Sequence, residues 1–202
     1  MTVTIDPWRI TGQSQIDSYV ARWAELAVVL VNTLAVERAQ GRTRTVPAPL
    51  EPALEEWRAH HRPPRAAGQA GPLDAGLLGE AAAGLRPAFG PGPLAGVAEL
   101  NALLLRQGAV PNLHAEPGRP PVLAFHAPGA DRSGAMAADA GTALAMVIGV
   151  GQGERLATCQ AQGCELVFFD TTRNASRRFC GLACQNRAKA AAYRARKGAR
   201  RT

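Results

Sequence analysis

What this chain of 202 residues lacks narrows its function first. No apolar run reaches the roughly eighteen residues that a bilayer span needs, so no helical membrane segment is expected. Residues 1–9 show no charged start followed by an apolar core and a small-residue cleavage site, and the expected compartment is the cytoplasm. Cysteine is missing from the first 158 residues, which excludes disulfide stapling there. His114 and His126 have no cysteine, serine or carboxylate constellation at a recognisable catalytic spacing. Gly149, Gly151 and Gly153 end a helical stretch instead of joining a strand to a helix, so they are not a dinucleotide fingerprint. The expectation is a protein that is not an enzyme.

What is present is concentrated at the end. Cys159 and Cys164 precede fifteen residues, then Cys180 and Cys184. Two close pairs around a hairpin-sized insert are the spacing of a tetrahedral thiolate zinc site, which puts Zn2+ ahead of iron or disulfides. Gly163 lets the first pair turn tightly. Leu166–Phe169 suits a strand, 171–176 a polar turn, and Arg177–Phe179 a second strand returning to Cys180. A helix from Cys180 through Arg196 follows, rich in strong helix formers. Knuckle, hairpin and helix make a treble-clef-like finger. Four protein sulfurs close the coordination sphere, so this metal folds the segment and leaves no position for a substrate.

Charge sits on the same module. From residue 154 onward there are eleven Lys or Arg against three acidic residues, a net of +8, while the whole chain is +7. That is the footprint of polyanion binding, with a solvated basic tail as the plainer alternative. Arg173, Arg177 and Arg178 belong to the hairpin, and Arg187, Lys189, Arg194, Arg196 and Lys197 to the helix. Folded presentation favours a binding face. Asn186 and Arg187 lie nearest the rigid end of the helix, where they either read bases or pack the helix on the hairpin.

The Cys-x4-Cys pair, Phe169-Asp-Thr-Thr-Arg-Asn174, Ser176-Arg-Arg-Phe-Cys180 and Cys184-Gln-Asn-Arg-Ala-Lys189 resemble the CGNR zinc finger, found at the C-terminus of bacterial transcription regulators. Gln185 stands where that signature usually has Gly, which leaves both ligands in place and one backbone feature open. The resemblance implies double-stranded DNA as partner and an upstream ABATE domain, a regulatory region that senses a ligand. Leu30-Val-Asn-Thr33 is similar to that domain's early Phe-Val-Asn-Thr motif.

Upstream, a composition of 47% hydrophobic residues is enough for a sizeable core. Apolar residues recur at three and four through 13–40, which predicts a core helix stopped by Gly41 and a loop over 42–47. Asn32 lies in its most apolar part; a buried amide must find partners, either a neighbouring backbone or a ligand in a pocket. Leu50, Leu54 and Trp57 mark a short helix ending near His60. His60 and His61 are adjacent without a third ligand nearby in sequence, which reads as surface polarity. Residues 62–65 read as a linker. Two more helices are expected over 73–85 and 93–106, with Pro93 in a first turn. A β-hairpin over 112–126 carries a proline-rich loop and brings His114 opposite His126. A last core helix spans 135–150, and the glycines after it read as a hinge.

The fold class expected is mainly α with a small β-hairpin (α+β): a helical regulatory domain over 1–151 and the finger over 152–202. The function expected is a DNA-binding transcription regulator controlled by a small-molecule effector, with a homodimer as a candidate assembly and no membrane partner. An RNA-binding or ribosome-associated zinc protein is the alternative. Tyr193 stands alone on the basic helix, and the missing aromatic platform weakens single-strand stacking.

Overall fold

The strongest apolar periodicity in the sequence becomes helix α1 (Gln13–Leu34). Trp23, Ala24, Leu26, Ala27, Leu30 and Val31 along it are buried, as a core-facing stripe requires. The structure, a computed structural model, describes residues 13–61, 71–92, 94, 96–115, 118 and 121–199. The linker at 62–65, the first-turn role of Pro93 and all of the loop at 116–120 except residue 118 lie outside these residues.

Helix α1 ends at Leu34, earlier than the periodicity suggested. Arg38–Ala39 (β1) and Arg42–Thr43 (β2) pair antiparallel instead. Between them Gln40 and Gly41 take φ of 54° and 82°. Two successive left-handed residues match the twist of a tight hairpin, and a right-handed helix cannot pass through them.

Helix α2 (Glu51–His61) buries Leu54 and Trp57. Helix α3 (Ala75–Leu85) starts at Asp74, whose Oδ1 accepts from the Leu77 N–H at 2.9 Å. Helix α4 (Val97–Arg106) begins later than the proline suggested, because Gly96 is left-handed (φ 69°). Helix α5 (Arg132–Gly149) is capped by Asp131, which accepts from Gly134 N–H at 2.7 Å. Its alanines and glycine let it run through the centre of the helical layer, against α1, α3 and α4. Asn112–His114 (β3) pairs antiparallel with Val122–Ala124 (β4), as the sequence indicated.

Leu156–Thr158 (β5) and Val167–Phe169 (β6) pair antiparallel, and the chain ends in α6 (Leu182–Ala199). The expected partner of 166–169 was 177–179. That segment is not a strand, because the buried Asp170 carboxylate takes the Thr172 and Arg177 N–H groups, each at 2.8 Å, and folds 171–177 into a loop. Helix α6 likewise starts at Leu182, with Cys180 ahead of it and Cys184 inside its first turn.

Glycines 149–153 do not leave the finger hanging from a hinge. Leu156 and Val167 belong to the same buried cluster as the α1 and α5 side chains. Thr158 Oγ1 donates to the Phe89 carbonyl at 3.0 Å, and Arg86 bridges the Ala35 carbonyl (2.7 Å) and Glu165 (3.0 Å). The architecture is mainly α with small two-stranded sheets. Among the described residues, no helix is long and apolar enough to cross a membrane.

Candidate metal centre

The four cysteine sulfurs all lie within 4.8 Å of one another. Cys164 and Cys180 Sγ are 3.9 Å apart, and Cys180 and Cys184 Sγ 3.6 Å. None is in a disulfide. Zinc–sulfur bonds of about 2.3 Å give a tetrahedron whose edges are about 3.8 Å. The sulfurs are therefore already spaced for one ion, and the donor set fits Zn2+ with no open coordination position.

Burial and the neighbouring thiols push the Cys180 and Cys184 thiols above their ordinary range. Burial pushes the Cys164 thiol up as well, but backbone hydrogen bonds from Gln40 and Leu166 and bonds from its neighbours outweigh it and hold it below its ordinary value. Four crowded thiols cannot all ionise without a cation among them, so binding the metal and losing the protons are one event.

The helical part of the chain supplies part of this centre's surroundings. Gly163 takes φ 70°, which turns the first knuckle. The Gly41 N–H donates to the Gly163 carbonyl at 2.9 Å, and the Glu165 N–H donates to the Arg38 carbonyl at 2.8 Å. The β1–β2 turn is thus clasped to the knuckle through main chain. Arg187 reaches back from α6 over this junction. Its Nη2 donates to the Gln162 carbonyl at 2.9 Å and its Nη1 points at Cys184 Sγ at 4.0 Å. The left-handed φ of Gly41 favours glycine there, and a Cβ at that position would overlap the Arg187 guanidinium and displace it from the junction.

The hairpin arginines are tied down to different degrees. Arg177 donates to the carbonyls of Phe179 (2.9 Å) and Cys180, and its guanidinium lies 4.7 Å from the Phe168 ring centroid. Arg178 donates to Gln160 Oε1 at 2.7 Å. Arg173 is exposed at the loop tip. Burial pushes the Asp170 carboxyl up, but the bonds from Thr172 and Arg177 and the Arg155 cation outweigh it and hold it below the usual carboxylate range.

On α6, Cys184 is buried and Arg187, Ala188 and Ala191 are half-buried. Asn186, Lys189, Tyr193, Arg194, Arg196 and Lys197 are exposed. At about 100° per residue these exposed positions share the outward arc, and Arg187 falls at the packed edge. Lys189, Arg194, Arg196 and Lys197 thus form one outward basic face. Gln185 lies within the helix, its N–H donating to the Gly181 carbonyl at 3.1 Å, so a residue other than Gly is accommodated without left-handed backbone.

Asn32, the amide expected to need partners, has them in the finger. Its Nδ2 donates to the Val167 carbonyl at 2.9 Å and its Oδ1 accepts from the Val167 N–H at 2.8 Å. In two other polar groupings the carboxylate was not legible in sequence. His114 and His126 do meet, with ring centroids 4.5 Å apart. The partner that sequence missed is Asp139, buried on α5, which accepts from Tyr19 OH (3.0 Å) and the Phe125 N–H (2.9 Å) and pairs with His126 Nδ1 at 2.9 Å. His60 and His61, read as surface polarity, converge with Glu25 of α1, 36 positions away from His61. No local signal marks either carboxylate, since both arrive from another helix.

Residues 155–197 match the family model described as CGNR zinc finger, a span that holds all four sulfurs, the Asp170 loop and α6 through Lys197. No curated protein matches the chain. This segment is a zinc-binding finger of that type.

Proposed function

We propose that the chain is a DNA-binding transcription regulator whose finger presents the outer face of α6 to duplex phosphates. The observation that carries this reading is that face: Lys189, Arg194, Arg196 and Lys197 stand exposed on one arc of a helix whose first turn is fixed by the metal centre. Asn186, on the same arc near the rigid end, is the candidate base reader, and Arg173 at the loop tip adds a phosphate contact. Arg187, Arg177 and Arg178 hold the finger together in this reading, because their guanidinium groups are already engaged. The residues before the finger act as a regulatory domain of the ABATE type that binds a small effector, with no catalytic role. The working compartment is the cytoplasm and the assembly a homodimer.

Tyr193, 61% exposed among these cations, favours a second reading, in which the face binds RNA with one stacked base. Competition between duplex DNA and structured RNA for the zinc-loaded chain at fixed salt separates the two. Preferential displacement by RNA overturns the DNA reading.

A further inference from the structure

We propose that Glu25, His60 and His61 form a second metal site, for a divalent transition-metal ion of the zinc or nickel type, on the helical part of the chain. One ligand atom from each lies within 4.8 Å of the other two. His61 Nε2 is 2.8 Å from Glu25 Oε2, and the His60 and His61 rings meet edge-on with centroids 4.8 Å apart at 86°.

Metal–nitrogen and metal–oxygen bonds of about 2.0–2.2 Å place tetrahedral ligands about 3.4 Å apart. The close pair must open slightly and His60 must swing in. Both adjustments fall on free side chains: His60 is exposed and the Glu25 side chain is 42% exposed. The frame beneath them is fixed. Trp57, buried on α2, packs against the buried Trp23 of α1 with centroids 5.5 Å apart and donates from Nε1 to the Arg22 carbonyl at 3.0 Å. The His61 ring packs on the same tryptophan at 5.8 Å. Rigid backbones and adjustable tips suit a preformed site.

Two imidazoles and one carboxylate are borderline donors that suit zinc, nickel or cobalt, and three protein ligands leave a position open to solvent or a small anion. Arg22 and Arg58 stand one turn before Glu25 and His61 on their helices, so the local field opposes a dication. The ion is therefore exchangeable, unlike the one in the thiolate centre. The site stands whether or not α6 binds nucleic acid.

The test is calorimetric titration with Ni2+ of the untagged full chain that holds one zinc after mild chelation and removal of the chelator. One further ion per chain is expected. Glu25→Gln, His60→Ala and His61→Ala should each weaken its binding at least tenfold, and His114→Ala should leave it unchanged. No binding heat in the parent chain, an undiminished second ion when all three ligands are replaced, or its loss in His114→Ala each overturns the proposal. Should the variants misfold, Co2+ added to the parent protein decides by NMR. Paramagnetic broadening of the His60 and His61 ring signals supports the site; broadening confined to His114 and His126 overturns it.

Discussion

Asn32 and Val167, 135 positions apart, exchange two hydrogen bonds through one side-chain amide. Val167 pairs with Thr158 on its other side, so the amide of α1 completes the free edge of β6. Asn32→Ala leaves a backbone donor and acceptor of the finger without those partners. Unmade bonds of this kind cost about 1–3 kcal/mol each. The expected loss in chemical denaturation of the zinc-loaded chain is about 2–4 kcal/mol. A loss near zero means that water replaces the clasp.

Metal removal should act unevenly. One tightly held zinc per chain is expected after mild chelation, ligated by Cys159, Cys164, Cys180 and Cys184. Strong chelation should expose 159–165 and 180–199 to hydrogen exchange, because those segments have little core of their own. Strands β5 and β6 should keep protection, since Leu156 and Val167 lie in the helical core. Equal loss of protection in α1 and α5 would mean that the metal supports the whole fold.

Arg187 should behave as a support of the metal centre. Removing a residue that orients a ligand lowers metal affinity by about 10- to 100-fold. Arg187→Ala, and Gly41→Ala through its overlap with Arg187, should both weaken zinc in competition with a chromophoric chelator. Lys189→Ala and Arg196→Ala should not. Unchanged zinc affinity in Arg187→Ala would return that residue to the nucleic-acid face.

The outward face of α6 should set the salt dependence of DNA binding. Each of Arg194→Ala, Arg196→Ala and Lys197→Ala is expected to weaken all duplex sequences alike and lower the salt slope by about one. Asn186→Ala should instead relax preference at one base position. Affinity and slope unaltered in the triple Ala variant, with zinc retained, would remove this face from the interface.

Asp139 anchors the β3–β4 hairpin to α5 through His126 and Phe125. Removing an acceptor so that buried donors lose their partner costs about 1–3 kcal/mol for each donor left unmade. Asp139→Ala should lose stability on that scale and release the hairpin first, seen as early proteolysis between 112 and 126. His114→Ala, whose ring only packs beside His126, should lose less.

The metal centre was legible because its information is local: four sulfurs in two close pairs, a glycine between two of them and a run of helix formers after the last. The core helices were legible because apolar periodicity survives any detail of packing, and Ile148 or Leu30 announces a buried stripe without naming its neighbour. Helix ends were harder. Helix α1 stops at Leu34, and the residues after it form a hairpin that turns at Gln40, a residue with no strong turn preference, and docks on the knuckle through Gly41 and Arg38.

By itself the sequence determined the ligand set of the metal, the mainly helical class and the basic character of the last helix, since each follows from residue type and spacing along one segment. Only the tertiary structure decided which arginines are free and which are engaged, because Arg187 and Arg194 are alike in sequence yet only one faces the knuckle carbonyl. It alone closed the finger onto the helices, through a side-chain amide and a hairpin turn far upstream. It alone brought Glu25 to His60 and His61, and Asp139 to His126. These pairings join residues from separate elements of the fold, and no short-range pattern can encode a distance that only the packing of the core sets.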